Sequence, residues 1–573
     1  MHKTLIFSFF TLSAFVTLLA SKPLTSISFD DVSIPVTDEQ KRAILHSNSV
    51  SVKGVEHNLS YNTIARSGDM IRGNIFGLIY DKKGKPIINK DGTLKISSDN
   101  DFSSLHKVGK KIFMISHFET RPAAMYLTEL NQDKTTGKLT PINTQNINFS
   151  EFNGLHVPCA GSVTPWNSHL GSEEYPADMR LADSAGHLDE TYDAMGEYFG
   201  GNLKAVNHYN YGWIPEVQIL RENGDMSVQK HYAMGRFSHE LAYVMPDQKT
   251  VYLSDDNTNG TFFKFIALKQ KDLSRGELFA AKWIQTSSEH GGKARIKWIS
   301  LGNARDSAIS KILKKKPLFK DIFKTANRDS NNKCPSSFTA SNYAGLNECL
   351  KIKKGMNLVA SRLESGRYAS IKGATTEFSK MEGITYNPQD NNLYMSIGKI
   401  DNGMENNHIN NKVDDKRDKG GNNDIMLDYN RCGVVYRMEL NGYDVVSMEG
   451  LVVGTPMDKD LNGNSCNLNN ISMPDNLTFI PNTDTLIIGE DTNYHQNDMM
   501  WAFNLTKKQL TRIQTTPYGA ETTSPYYYPD INGFGYLISV VQHPYGESDS
   551  DKLNYQNESK AYTGYIGPFP VIK

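Results

Sequence analysis

Residues 477–491 read LTFIPNTDTLIIGED, an apolar stretch, then Pro481 and a short polar turn, then a second apolar stretch that ends in two acids. Two apolar runs around such a turn predict a β-hairpin. The same pattern occurs at AYVMPDQKTVYLSDD (242–256), GITYNPQDNNLYMSI (383–397) and YYYPDINGFGYLISVVQHP (526–544). Long helical periodicity is scarce, so the sequence predicts an all-β fold.

The spacing of these hairpins indicates a repeat. Their prolines, at positions 246, 388, 481 and 529, are separated by 142, 93 and 48 residues, close to three, two and one times about 47. Such a period is typical of β-propellers, in which each four-stranded blade needs its neighbours around a central channel. We expect one β-propeller domain over residues 21–573. An ordinary β-sandwich with similar hairpins is the alternative.

Two segments interrupt the repeat and are predicted to be insertions. Residues 305–328, RDSAISKILKKKPLFKDIFKTANR, form a basic amphipathic segment that predicts a small helical cap. Residues 401–424, DNGMENNHINNKVDDKRDKGGNND, are polar and rich in turn residues, which predicts a surface loop.

The N-terminus and the overall charge bear on where the protein works. Residues 1–23, MHKTLIFSFFTLSAFVTLLASKP, have a short basic start, an apolar run of about 16 residues and small residues before a proline, the build of a signal peptide over 1–20. An uncleaved anchor is the alternative, but the run is short of the ~20 residues of a membrane span. We expect a periplasmic or secreted protein without stable membrane insertion after cleavage. The net charge of -1 gives no overall field to attract nucleic acid, and we expect none as a partner.

The five cysteines divide unevenly. In an oxidising compartment Cys334 with Cys349 and Cys432 with Cys466 can form local disulfides, although sequence alone does not fix the connectivity. Cys159 is then left over. An unpaired thiol is most often a small buried apolar residue, and the alternative is a metal ligand.

Acidic residues recur where a propeller would bring them together. Polar residues at the ends of inner strands converge on one mouth of the channel, and the predicted strands end in Asp255 and Asp256, in Glu490 and Asp491, and in Gln542 and His543. Further acids lie beside small or aromatic residues: Glu173, Glu174, Glu216, Glu240, Glu382, Asp475 and Glu521. A few carboxylates in one partly dehydrated channel repel one another, so protons or cations must offset their charge.

The residue types indicate which cations. Oxygen ligands favour hard ions such as calcium, whereas a thiolate from Cys159 favours a transition ion. The sequence therefore predicts a mixed metal site, although any one of these acids taken singly can equally be a solvated surface residue.

Several motifs resemble those of the PhoX-type bacterial alkaline phosphatases. The likeness rests on CAGSVTPWNSHLGSEE (159–174), YGWIPEV (211–217), MGRFSHELAYV (234–244), VYLSDDNTNGTFFKF (251–265), PDNLTF (474–479), PYGAETTSPYYYPD (517–530) and VVQHP (540–544). They occur in the order found in that family. The resemblance implies a six-bladed propeller with small helical insertions and a calcium and iron site that hydrolyses small phosphate esters. We expect the protein to be a monomer.

The resemblance also implies roles for individual residues. Cys159, Glu240 and Glu382 match the transition-metal ligands of the family, and Glu174, Glu216, Asp475 and Glu490 match its calcium ligands. Lys380, Glu382 and Glu240 are the predicted catalytic residues. One departure is Lys380-Met381-Glu382, since the family carries Arg-x-Glu; lysine keeps the positive charge but loses the two-pronged grip on phosphate.

Two other functions remain compatible with the sequence. One is a propeller lactonase or esterase that uses calcium alone, which would not need Cys159. The other is a non-catalytic exported propeller that binds calcium without turnover. Fold resemblance by itself does not separate these functions from a phosphatase.

Overall fold

The computed structural model describes residues 24–185, 190–419 and 421–572. The predicted signal peptide, residues 1–20, lies outside the described residues. Among the residues that are described, none of the helices has both the length and the apolar character needed to cross a membrane.

Antiparallel strands dominate and pair in consecutive units. Unit 1 contains Asn100–Val108, Lys111–Phe118, Ala124–Gln132 and Leu139–Asn146. Unit 2 contains Ser162–Val163, His169–Leu170, Ile214–Ile219 and Met226–His231. Unit 3 contains His239–Val244, Thr250–Asp255, Phe263–Lys269, Asp272–Ser287 and Lys293–Arg305.

The second half of the chain continues the pattern. Unit 4 contains Met381–Asn387, Asn392–Ile397, Val434–Asn441 and Asp444–Val453. Unit 5 contains Pro474–Phe479, Thr485–Glu490, Met499–Asn504 and Gln509–Thr515, with Leu45–His46 added at its edge. Unit 6 contains Glu521–Ile531, Phe534–Gln542, Tyr562–Phe569 and, from the N-terminal part of the chain, Ser60–Arg66.

The first strand of each unit, here called its inner strand, contacts the inner strand of the next. These contacts run from unit 2 through units 3, 4, 5 and 6 to unit 1. Ser60–Arg66 pairs with Tyr562–Phe569, so an early strand completes the last sheet and protects its edge. The chain is a β-propeller, as predicted. The number of blades stays a prediction, although six units of this kind are present in the described residues.

Apolar side chains fill the spaces between neighbouring units. Trp283 of unit 3 packs with Met395 and Tyr436 of unit 4, and Tyr126 of unit 1 packs with Ile538 of unit 6. Each sheet is therefore covered on both faces by its neighbours, which explains the near-continuous apolar strands in the sequence.

Helices and the remaining strands lie outside the units. The helices are Asp38–Arg42, Met179–Ala185, Glu190–Tyr198, Asp306–Leu313, Phe319–Ile322, Asn357–Leu363 and Ser365–Ile371. The remaining strands are Ile27–Phe29, Ser49–Val52, Val55–Asn58, Met70–Ile71, Asn74–Ile75, Phe323–Ala326, Thr339–Ser341, Glu348–Ile352, His408–Ile409 and Lys412–Val413.

The predicted insertion at 305–328 thus holds two short helices and a strand. Ile309 and Leu313 are buried against unit 3, which explains the amphipathic pattern of the segment. The segment at 401–424 holds a one-turn helix, Asn402–Met404, and a small hairpin.

The cysteines form the two local pairs that the sequence allows. Cys334 bonds Cys349 and Cys432 bonds Cys466, with Cα–Cα distances of 5.5 and 5.9 Å, and Cys159 is free. The one thiol left over is therefore available for other chemistry.

This pairing predicts a thiol count. The protein unfolded in guanidinium without reductant should react with one equivalent of Ellman's reagent, and with five after reduction, because four of the five sulfurs lie in disulfides. Three or more reactive thiols before reduction would show that a predicted disulfide is absent, and none would show that Cys159 is oxidised.

Candidate metal centre

A pocket of about 450 Å³ opens where the inner strands begin. Eleven of its 19 lining residues are acids, and only Lys380, Lys399 and His543 carry a group that can be positive. The pocket is therefore strongly acidic although the whole chain is close to neutral.

The acids reach the pocket from equivalent positions. Asp101, Glu240, Glu382 and Asp475 are each the second residue of an inner strand, in units 1, 3, 4 and 5, and Glu521 is the first residue of the inner strand of unit 6. The pairing register shifts beside each of the first four acids. Such β-bulges re-aim side chains, so one local irregularity, repeated in four units, turns carboxylates into the channel.

A second set of lining residues follows the second strand of a unit. Glu119, Asp256, Asp491 and His543 each come directly after such a strand in units 1, 3, 5 and 6. Because the second strand is antiparallel to the inner strand, its end lies beside the start of the inner strand. Both sets therefore meet at the same mouth.

Five of the seven predicted metal ligands line this pocket, and they form two overlapping groups. Cys159, Glu174 and Glu240 form one, and Glu240, Glu382 and Asp475 form the other. Within each group, one potential ligand atom per residue lies within 4.8 Å of the others. Glu240 belongs to both groups and links them.

The structure adds ligand candidates that the sequence reasoning missed. Asp101 and Glu119 form a further group with Cys159, whose Sγ lies 3.9 Å from the Asp101 carboxylate. Glu119 directly follows the strand KIFMISHF, and this position at the end of a second strand could have identified it as a pocket residue. Glu521, already noted among the acids, forms another group with His543 and Glu547. The His543 Nε2 lies 2.9 Å from a Glu521 oxygen and 3.6 Å from a Glu547 oxygen.

Glu490 does not lie in the pocket, contrary to expectation. Its carboxylate accepts hydrogen bonds from Trp501 Nε1 (2.7 Å) and from the backbone N–H groups of Ser472 (2.9 Å) and Met499 (3.0 Å), and it contacts His495 Nδ1 at 2.9 Å. Adjacent residues of a strand face opposite ways, so its neighbour Asp491 lines the pocket instead. We leave Glu490 out of the ligand set.

Glu216 is also outside the pocket. Its carboxylate accepts hydrogen bonds from Trp166 Nε1 (2.8 Å) and from the Ser168 hydroxyl, and it contacts His231 Nε2 at 2.8 Å. Its oxygens are therefore occupied within unit 2. We leave Glu216 out of the ligand set as well.

Burial and crowding set the electrostatics of the pocket. Burial raises the pKa of Glu240, and the Glu382 carboxylate raises it further. Burial and then Glu382 do the same to Asp475, and burial and then Asp101 raise the pKa of the Cys159 thiol. Positive charge brought to these groups would favour their ionised forms.

Two buried carboxylate oxygens indicate that a positive charge is needed in the pocket. Glu174 Oε1 and Asp256 Oδ1 have no hydrogen-bond partner among the described residues. A buried oxygen of this kind is costly unless a donor or a cation satisfies it. The donor set, many carboxylate oxygens and one sulfur, fits hard cations together with one softer ion.

A chain of buried side chains holds the Cys159 loop. A ring nitrogen of His117 bonds the carbonyl of Cys159, and the other lies 3.3 Å from His169 Nε2. His169 Nδ1 and His106 Nε2 each lie 2.7 Å from the Ser104 hydroxyl. Burial lowers the pKa of all three histidines, so the rings are neutral and act through hydrogen bonds.

Comparison with known proteins identifies the family. The model of the family described as alkaline phosphatase PhoX matches residues 83–544. The chain belongs to the PhoX alkaline phosphatase family. It is therefore a phosphoric ester hydrolase, and the resemblance found in the sequence motifs is confirmed. No curated protein sequence matches the chain.

Solved structures support the fold. The structure of Pseudomonas fluorescens PhoX in complex with vanadate, a transition-state analogue, superposes with a TM-score of 0.60 at 15% identity, over 95% of this chain and 98% of that one. A putative 6-phosphogluconolactonase from Bacteroides uniformis matches with a TM-score of 0.30 at 10% identity, over 77% of this chain and 96% of that one. Only the PhoX likeness is close enough to bear on the architecture.

Lys380, which stands where the PhoX family carries arginine, lies in the pocket. Lys380 Nζ is 2.6 Å from an Asp256 oxygen, 3.5 Å from a Glu382 oxygen and 3.1 Å from the Tyr175 hydroxyl. Burial lowers the pKa of Lys380, but Asp256 and Glu382 outweigh burial and raise it well above its usual value. Lys380 is therefore protonated.

The ion pairs of Glu216 predict a pH dependence of stability. His231 bridges Glu216 and Asp306 (Nδ1 to Oδ2, 3.1 Å), and although burial favours the neutral ring, these hydrogen bonds raise its pKa to about 10. Because the pKa of His231 in the folded protein lies above its usual value, its positive charge stabilises the fold fully below pH ~6.5. This contribution declines as the pH rises and is lost above about pH 10. His231→Gln should lower the free energy of unfolding at pH 6 by about 3 kcal/mol.

Urea unfolding at pH 6, 8 and 10 tests this, with His57→Gln, which removes a histidine on an outlying strand, as the control. The difference between wild type and His231→Gln should shrink as the pH rises. Equal stabilities at pH 6, or a difference that grows with pH, would contradict the assigned charge of His231.

Proposed function

We propose that the protein is an exported PhoX phosphatase that hydrolyses small phosphate esters at calcium and iron ions held in the acidic pocket. The observation that carries this proposal is the overlap of the two ligand groups at Glu240, together with the Lys380 ammonium, which lies 3.5 Å from Glu382 of the second group. Acids from several units thus share one small volume with a lysine ammonium.

The ligand types suggest how the ions divide. Cys159, Glu240 and Glu382 would hold the transition ion or ions, since only this set includes a thiolate. Glu174, Asp475, Asp101 and Glu119 would hold calcium, which takes oxygen ligands from several directions. Such ions, when bound, would stabilise the negative charge that develops on the phosphoryl oxygens.

The side chains of the pocket orient the substrate. Lys380 is held between Asp256 and Glu382, so its ammonium is fixed in direction before substrate arrives. It can donate to a phosphoryl oxygen as a single charged donor, without the paired bonds an arginine would make. The Tyr175 hydroxyl also bonds Asp256, which keeps that carboxylate turned towards Lys380.

Export is supported by two independent features. The residues at 1–20 have the composition of a signal peptide. The two disulfides are typical of proteins that fold in an oxidising compartment. We propose a periplasmic or secreted protein that acts as a monomer on a small-molecule substrate, without a nucleic-acid partner.

The two alternative functions require different features of the pocket. A lactonase or esterase that uses calcium alone would leave Cys159 without a role, and a non-catalytic binding propeller would bind calcium without turnover. Membership of a phosphatase family favours hydrolysis of phosphate esters over both.

Removing the shared carboxylates should abolish activity. In Glu240→Gln and Glu382→Gln, release of p-nitrophenol from p-nitrophenyl phosphate should fall by about 100-fold or more, because the ligand groups lose charge. Circular dichroism should be unchanged. Glu439→Gln, which neutralises an exposed acid of unit 4, serves as the control. Full activity in both pocket variants would rule out the assigned site.

The Cys159 thiol should determine how much transition metal the protein binds. In Cys159→Ala, iron measured by elemental analysis of protein purified without chelators should fall severalfold, whereas calcium should change little, because sulfur contributes little to calcium binding. Wild-type iron content in this variant would separate Cys159 from the metal site.

A further inference from the structure

The three groups in the pocket that can be positive differ in their partners. Lys380 is paired with Asp256 and Glu382, and His543 is paired with Glu521 and Glu547. Lys399 makes no ion pair and no side-chain hydrogen bond with any residue that the structure describes. It is the one pocket cation whose charge is not already committed to a carboxylate.

Lys399 is nevertheless built into the site. It follows Gly398, whose backbone N–H donates to the carbonyl of Lys380 at 2.9 Å. A Cβ on Gly398 would lie 3.3 Å from the Glu382 Oε1, so the backbone passes directly beside that carboxylate. Lys399 therefore directly follows a residue that lies beside the proposed ligand Glu382, and it lines the pocket.

An aromatic ring supports the ammonium. Lys399 Nζ lies 5.1 Å from the centroid of the Tyr494 ring. A cation above a ring face is attracted to it without using its N–H donors in hydrogen bonds to other groups. Since no described residue accepts a hydrogen bond from Lys399, its ammonium can donate to an anion that enters the pocket.

We propose that Lys399 binds the phosphate of the substrate at the pocket mouth and favours monoesters over diesters; this inference rests on the proposed function. A phosphate monoester carries close to two negative charges at neutral pH, whereas a diester carries one. Coulomb attraction to a single uncommitted ammonium is larger for the double charge. Lys399 acts as a binding and specificity residue in addition to Lys380, whose ammonium is shared with Asp256 and Glu382.

Anion binding to the metal-loaded, full-length protein tests this without requiring turnover. In calorimetric titrations Lys399→Ala should weaken the affinity for inorganic phosphate about tenfold, the loss expected for one charge-assisted hydrogen bond, and that for dimethyl phosphate about threefold or less. Lys399→Arg should restore phosphate affinity to within about twofold, because it keeps the charge. With p-nitrophenyl phosphate, Lys399→Ala should raise KM about tenfold and leave kcat within about twofold.

Two controls separate this role from a structural one. Lys508→Ala removes a lysine that also lies over a ring, 5.9 Å from the Phe503 centroid, but outside the pocket, and should bind phosphate like wild type. Calcium and iron contents of Lys399→Ala should equal those of wild type.

Unchanged phosphate affinity in Lys399→Ala, equal weakening of both anions, or loss of metal from this variant would each overturn the assignment of Lys399. A wild-type protein that binds phosphate but releases no p-nitrophenol would instead refute the proposed function, and the calorimetric comparison would still decide the role of Lys399.

Discussion

Glu240, Glu382 and Asp475 approach one another within 4.8 Å, and the repulsion between their carboxylates is the constraint on which the rest of the pocket depends. Burial raises the pKa values of all three; the Glu382 carboxylate raises those of Glu240 and Asp475 further, and Asp256 raises that of Glu382. Lys380 offsets only part of the negative charge, because it is shared with Asp256. Cations bound there would relieve the repulsion and at the same time supply the positive field that a phosphate ester needs.

The propeller is suited to creating such crowding. Its inner strands start around one channel, and a register shift beside the acid turns each side chain inwards in four units. The cost of gathering like charges is distributed over several units, each stabilised by apolar packing against its neighbours. Cys159 comes from unit 2 on a loop held by His117. The thiol is thus delivered from a different unit than Asp101, Glu119 and Glu240, whereas Glu174 comes from unit 2 itself.

Much of this could be read from the sequence, and the two misplaced ligands have separate physical causes. The hairpin repeat predicted the fold class. The resemblance of the motifs to the family implied Cys159, Glu174, Glu240, Glu382 and Asp475 as metal ligands, and all five line the pocket. Pattern does not fix which of two adjacent residues faces the channel, since a shift of one residue reverses the direction. Glu490 and Asp491 illustrate this. Glu216 was misplaced because its partners, His231 and Trp166, are distant in sequence and meet it only in the folded sheet.

Anomalous X-ray diffraction from crystals of the metal-loaded protein, collected on both sides of the iron edge, tests the shared cation site most directly. The account predicts an iron peak within bonding distance of Cys159 Sγ and the Glu240 carboxylate, with calcium peaks among the surrounding carboxylates of the same pocket. A fully loaded crystal whose pocket shows no anomalous peak, or whose metal peaks lie elsewhere on the protein, would contradict it.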